Sequence, residues 1–223
     1  MKESIADIIA EFKAFYTSKG VDIILPPLLF ALFNTMFDLK IAIIVAVLAA
    51  VFLGLRRLVK KDNLLFVLGG LLGVIFASGL AYFSDNAVNY FLPKLLTSGG
   101  LAVLSFISLL LRKPITMWTS HLTRHWPVKW YERKDIYPAY KEVALIWVIL
   151  FLIRFSVIGL LILKEDLIQL AFMNILLGTP FTIFILTISY LYGVWRLRTL
   201  KGPSVKEYLE EATPPFEGQR KGF

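Results

Sequence analysis

Apolar runs close to twenty residues long recur along this chain. The clearest, ALIWVILFLIRFSVIGLLIL from Ala144 to Leu163, is interrupted once, by Arg154. Such runs match the roughly 20 residues an α-helix needs to cross about 30 Å of hydrocarbon. A soluble domain of 223 residues has no interior large enough for a composition that is 57% hydrophobic and 18% charged. The runs are continuous rather than alternating, which excludes a membrane β-barrel. The expected fold is all-α: a polytopic membrane protein with six transmembrane helices arranged as three helical hairpins, with short interfacial helices.

The spans are expected near 21–37, 41–55, 64–83, within 91–111, near 143–163, and in a last helix ending near Trp195. Charge sorting supports that number. The net charge is +8, and of the 24 basic residues all but Lys40, Lys94, Lys164 and the embedded Arg154 fall on one side of a six-span arrangement. The positive-inside rule then places both termini in the cytoplasm. The basic balance is absorbed by topology and by contact with anionic inner-leaflet lipid, so nucleic acid is not an expected partner. No cleavable signal peptide is evident, and the chain has no cysteine, which excludes disulfides.

Three segments follow from this pattern. Residues 1–20 read as an amphipathic interfacial helix, with Ile5, Ile8, Ile9, Phe12 and Phe15 on one face. Residues 21–200 form the six-helix domain, including a Trp-rich, basic cytoplasmic amphipathic segment at 112–142, which reads as lying on the inner leaflet with Trp118, Trp126 and Trp130 in the headgroup layer. Residues 201–223 form a cytoplasmic, partly disordered tail with a short helix capped by Ser204. Within the domain each hairpin has an acidic turn, marked by Asp38, Asp85 and Asp166, and a basic exit. The second and third hairpins carry inserts, 86–100 and 167–180, that read as short helices at the interface or dipping into the membrane. Small residues recur at every fourth position: Ala42, Ala46, Ala50 and Gly54 on the second span, and Gly69, Gly73, Ala77 and Ala81 on the third. Such stripes allow close antiparallel packing.

Arg154 is the strongest polar signal. A central arginine costs roughly 2.5–3.5 kcal/mol on translocon scales and cannot shed its charge. It is expected to face inward and find acceptors. The candidates are Asn34 and Asp38 near the outer end of the first span, and carbonyls freed near Thr179 by Pro180. Lys94 reads as a snorkelling lysine that would join Arg154 if its insert is re-entrant. His121 and His125 stand four apart without the intervening glutamate of a zinc hydrolase. No phosphate loop, serine elbow or paired carboxylate is present, so no catalysis, cofactor or metal is expected.

PPLLFALFNTMFDLKIAIIVAVLAAVFLGLRRLVKK is similar to the opening of the bacterial septation protein A family of inner-membrane proteins. It also resembles a related family of uncharacterised membrane proteins common in actinobacteria. SGGLAVLSFISLLLRKP and YPAYKEVALIWVILFLIRFSV resemble the latter more closely, including Trp147 and Arg154. The resemblance covers roughly residues 22–200. It implies a multi-pass protein of the bacterial inner membrane linked to envelope upkeep or division, and it implies no reaction. The expected partners are membrane lipids and other envelope proteins. The alternative is a small transporter, channel or lipid flippase with an anion-accepting site at Arg154.

Overall fold

The computed structural model describes residues 21–221. The amphipathic helix expected over 1–20 lies outside them. Among the described residues the chain is helical, with no strand. Five helical stretches are long and apolar enough to cross a membrane: Leu39–Val59, Leu64–Phe83, Ala87–Leu110, Tyr137–Leu163 and Leu167–Leu200. They coincide with the last five expected spans. The first expected span corresponds to α1, Val21–Met36, whose 16 described residues reach about 24 Å at 1.5 Å per residue.

Local sequence sets the element boundaries. Asp38 stands in extended backbone and accepts the Ile41 N–H at 2.8 Å, capping α2, Leu39–Val59. Asn63 accepts the Leu65 N–H at 3.0 Å and caps α3, Leu64–Phe83. Asp85 is left-handed, with φ of 49°, and Asn86 caps the 3-10 turn Ala87–Phe91. Asp166 caps α8, Leu167–Leu176, through the Gln169 N–H at 2.9 Å. Two of the three acids at the turns are therefore helix caps, satisfying amides that the first helical turn leaves without partners.

The inserts differ from each other. The first is only the 3-10 turn, and Leu92 already begins α4, Leu92–Leu110. Pro93 sits in the first turn of α4, where no amide is needed, so nothing stops the helix from running on through Lys94. The second insert is a separate helix, α8, divided from α9, Thr179–Leu200, at Leu177–Gly178. Pro180 lacks the amide that would continue α8 into α9. The remaining elements are α5, Ile115–Arg124, α6, Val128–Tyr131, α7, Tyr137–Leu163, α10, Val205–Leu209, and α11, Gly218–Lys221.

The chain forms two compact units, one from residues up to Leu96 together with Val157–Pro180, the other from Thr97–Ser156 together with Phe181 onward. In the first unit α2 packs against both α1 and α3, and α8 packs against α1 and the 3-10 turn. Phe30 of α1 stacks on Tyr90 of that turn, with ring centroids 4.0 Å apart. Ala42, Ala46 and Ala50 are buried on α2. On α3 the expected stripe divides. Ala77 and Ala81 are buried, but nothing stands within 4 Å of where a Cβ would sit on Gly69 or Gly73. These two glycines do not take part in the packing. The reason is geometric: every fourth residue advances about 40° around a helix of 3.6 residues per turn, so Gly69 lies about 120° from Ala81. Val67 replaces them at that end, 3.4 Å from a Cβ built on Gly54.

The second unit has two cores. Ala102, Phe151 and Ile185 join α4, α7 and α9. Met117, Trp130, Tyr131, Ile136, Ala139 and Leu197 form the other, with Val205 and Tyr208 of the tail packed on it. Trp130 is wholly buried there and its Nε1 donates to the Pro203 carbonyl at 3.0 Å. The segment 112–142, expected to lie along the membrane surface with its tryptophans among headgroups, thus folds in part around its own aromatic core.

The tail is tied to this core by one carboxylate. Glu207 completes a capping box with Ser204 and accepts the Glu217 and Gly218 amides, each at 2.9 Å. Hydrogen bonds from the Ser204 backbone and these two amides lower its pKa to about 2. Its folded pKa lies below the unfolded one, so its contribution is complete above the ordinary glutamate range. It is lost as pH falls through that range toward about 2. We predict that acid releases the segment beyond Ala212 before the helices unfold, measured as backbone amide exchange against pH. Glu207→Gln should exchange fast at neutral pH and show no such acid step.

Candidate functional site

The second unit contains a cavity of about 360 Å³ between α5, α7 and α9. Its walls are mostly apolar. Val143 and Gly193 face each other across α7 and α9, with Val143 Cγ2 3.8 Å from a Cβ built on Gly193. The missing side chain at Gly193 is what leaves this stretch of wall open. Trp147 closes one end, donating from Nε1 to Ser189 Oγ at 2.8 Å, while that hydroxyl donates to the Ile185 carbonyl at 2.6 Å.

The side provided by α5 is hydroxylated. Thr116, Thr119, Ser120 and Thr123 follow helical spacing along one face and line the cavity together with Arg124. Thr116 donates to the Tyr140 carbonyl at 2.8 Å, and Thr119 and Thr123 donate back to carbonyls of their own helix. Tyr131 donates to Ser120 Oγ at 3.1 Å. Burial pushes the Tyr131 phenol above its usual range, opposed by that hydrogen bond, so it stays a neutral donor. The threonine protons are spent inside the protein, and what this side offers a ligand is chiefly lone pairs, methyl groups and one guanidinium. Arg124 lies over the Trp126 ring at 4.6 Å, a cation–π contact that orients it.

Beside the cavity, α7 and α9 are clamped by an ion pair. Arg196 donates to both oxygens of Glu142, from Nε at 2.7 Å and Nη2 at 2.9 Å, and the Tyr192 hydroxyl donates at 2.7 Å. Bidentate, charge-assisted pairs of this kind are the strong ones. The sequence reading missed both the clamp and the cavity. Their signals were present: Glu142 is the one carboxylate in Tyr137–Leu163, and the α5 hydroxyls share a helical face.

The residues expected to gather about Arg154 divide between the units. Arg154 belongs to the second. It is buried, at 7% exposure, and its Nε has no hydrogen-bond partner. Asn34, Asp38, Lys94 and Thr179 belong to the first. Asn34 is half-buried on α1, and Asp38 is exposed and occupied as the α2 cap. Lys94 and the α8–α9 break come together: Lys94 Nζ is 3.6 Å from a Cβ built on Gly178, one residue before Thr179. His121 is engaged locally, with its Nδ1 2.6 Å from the Trp126 carbonyl, and His125 takes the left-handed position ending α5.

A family described as "Protein of unknown function (DUF3159)" matches residues 18–199. No curated protein matches the chain. No solved structure matches it either. The match agrees with the uncharacterised family resembled in sequence and adds nothing to the likeness to septation protein A. Since it spans nearly all the described helices, this helical, membrane-type chain belongs to the DUF3159 family of proteins of unknown function.

Proposed function

We propose that this is a non-enzymatic protein of the bacterial inner membrane, with six spans and both termini cytoplasmic, that acts by holding an anionic phospholipid between α5, α7 and α9. The observation carrying this reading is the cavity itself. It combines apolar walls on membrane-type helices with a hydroxylated face and Arg124. An acyl chain fits the Val143–Gly193 stretch, and a headgroup phosphate suits the guanidinium. The basic exits of the helices add long-range attraction to an anionic leaflet. A role in envelope upkeep, as in septation protein A-like proteins, is consistent with a lipid-bound scaffold. A second reading, a small transporter or flippase, draws on the buried Arg154.

The test is lipid retention by the purified full-length protein, with phosphatidylglycerol as probe and native mass spectrometry as readout. Gly193→Phe puts a ring into the cavity beside Val143. It should cut the retained lipid about tenfold, the effect of losing roughly 1.4 kcal/mol of binding, while leaving the melting temperature of the delipidated protein close to wild type. Unchanged retention in a folded Gly193→Phe protein would overturn the proposal.

A further inference from the structure

Arg154 raises a question of charge balance. Its guanidinium stays ionised at any accessible pH. It stands inside α7, thirteen residues past Lys141 and ten before Lys164, at 7% exposure, with Nε enclosed and accepted by nothing. A countercharge from the neighbouring helices of its unit is missing. Neither α4 nor α9 contains an aspartate or glutamate. The one carboxylate of α7, Glu142, is about 18 Å away along the axis and already holds Arg196 with both oxygens.

Arg154 shares a face of α7 with Trp147 and Phe151, and Phe151 packs on Ala102 of α4. One turn before Ala102 is Ser98, fully buried. The next residue is Gly99, so close to α7 that a Cβ there would stand 2.9 Å from the Phe155 ring. The register therefore sets Ser98 and Gly99 beside Arg154 and Phe155. Thr97 and Gly100, on either side of this pair, are exposed. A cation, nearby hydroxyls and little side-chain bulk are what an anion needs in a site cut off from water.

We propose that Arg154 is the seat of a membrane-embedded phosphate site, filled by inorganic phosphate or by the phosphate of a lipid headgroup. The site is independent of the cavity between α5, α7 and α9. The full-length protein in nanodiscs tests it through its melting temperature. One arm compares inorganic phosphate with chloride at equal ionic strength in phosphatidylcholine discs. The other compares phosphatidylglycerol with phosphatidylcholine discs, with the cavity between α5, α7 and α9 filled by Gly193→Phe. With Arg154 in place, one arm should raise the melting temperature by roughly 5 °C, as expected for a ligand near saturation. A shift in the first arm assigns free phosphate, and a shift in the second a headgroup. Arg154→Lys should keep part of the shift, Arg154→Gln should abolish it, and a shift in the first arm should be the same with or without Gly193→Phe. No shift in either arm, or one that persists in Arg154→Gln, overturns the proposal. Should Arg154→Gln not fold, nitrogen–phosphorus dipolar NMR on the wild type, with Arg154 assigned through Arg154→Lys, decides instead. Phosphorus within about 4 Å of Nε is the expected result, and its absence overturns the proposal.

Discussion

Trp130→Ala should lower the melting temperature by roughly 10 °C and free the tail to protease. Trp130 is wholly buried among Met117, Tyr131, Ile136 and Leu197. This core joins α5 and α6 to the first turn of α7 and the last turn of α9, at the ends of the long apolar helices, so burial here removes surface from water and the hydrophobic effect applies in full. Truncating a buried aromatic to alanine costs about 3–5 kcal/mol through lost transfer energy and the cavity left behind. For a chain of this length each kcal/mol corresponds to about 2–4 °C. The hydrogen bond to Pro203 is a smaller part of the loss, because that carbonyl also accepts from Gln219 Nε2 at 3.2 Å and is not left bare. Trp130→Phe, which keeps a ring but removes the donor, should therefore cost only about 1 kcal/mol. Circular dichroism melts and limited proteolysis beyond Gly202 check both variants. Equal effects from the two would mean that the hydrogen bond, not the ring, carries the stability.

Ala46→Leu should be nearly as damaging, for a different reason. Ala46 has no exposed surface, and α2 packs on both sides, against α1 and α3. Lipid tails are as apolar as leucine, so the larger side chain gains nothing from burial, and its extra carbons only push the helices apart. Overpacking of this kind costs roughly 1–3 kcal/mol, and more where backbones are in close approach. The control is Gly73→Ala on α3. Nothing lies within 4 Å of the new methyl, and removing a glycine from a helix interior stabilises by about 0.5–1 kcal/mol. A stripe that packed along its whole length would make the two substitutions alike. A two-sided arrangement in which only Ala77 and Ala81 are covered makes them opposite in sign. Melting curves in one detergent separate these outcomes.

The two sites answer to different physics and need not act together. The cavity between α5, α7 and α9 depends on an absent side chain at Gly193 and on a helix whose hydroxyls are already satisfied. Arg154 depends on a charge with no balancing carboxylate on α4, α7 or α9. Filling the first and neutralising the second should therefore give separable defects, one in lipid retention and the other in phosphate-dependent stability.

What could be read from the residues alone was whatever depends on local composition. Continuous apolar runs announced membrane helices, because crossing hydrocarbon demands length and apolarity and little else. Ser204 announced a helix start, because capping is settled within four residues. Arg154 stood out because its cost does not depend on its neighbours. The fusion of the 86–100 insert into α4 and the division of the α3 stripe at Gly69 and Gly73 needed the structure. Each turns on how a helix is rotated or where a neighbour ends, and a period of four in the sequence drifts around a helix with 3.6 residues per turn. The Glu142–Arg196 clamp and the seating of Trp130 under Pro203 join residues 54 and 73 positions apart. Contacts at that separation leave no local periodicity, and only folding brings them together.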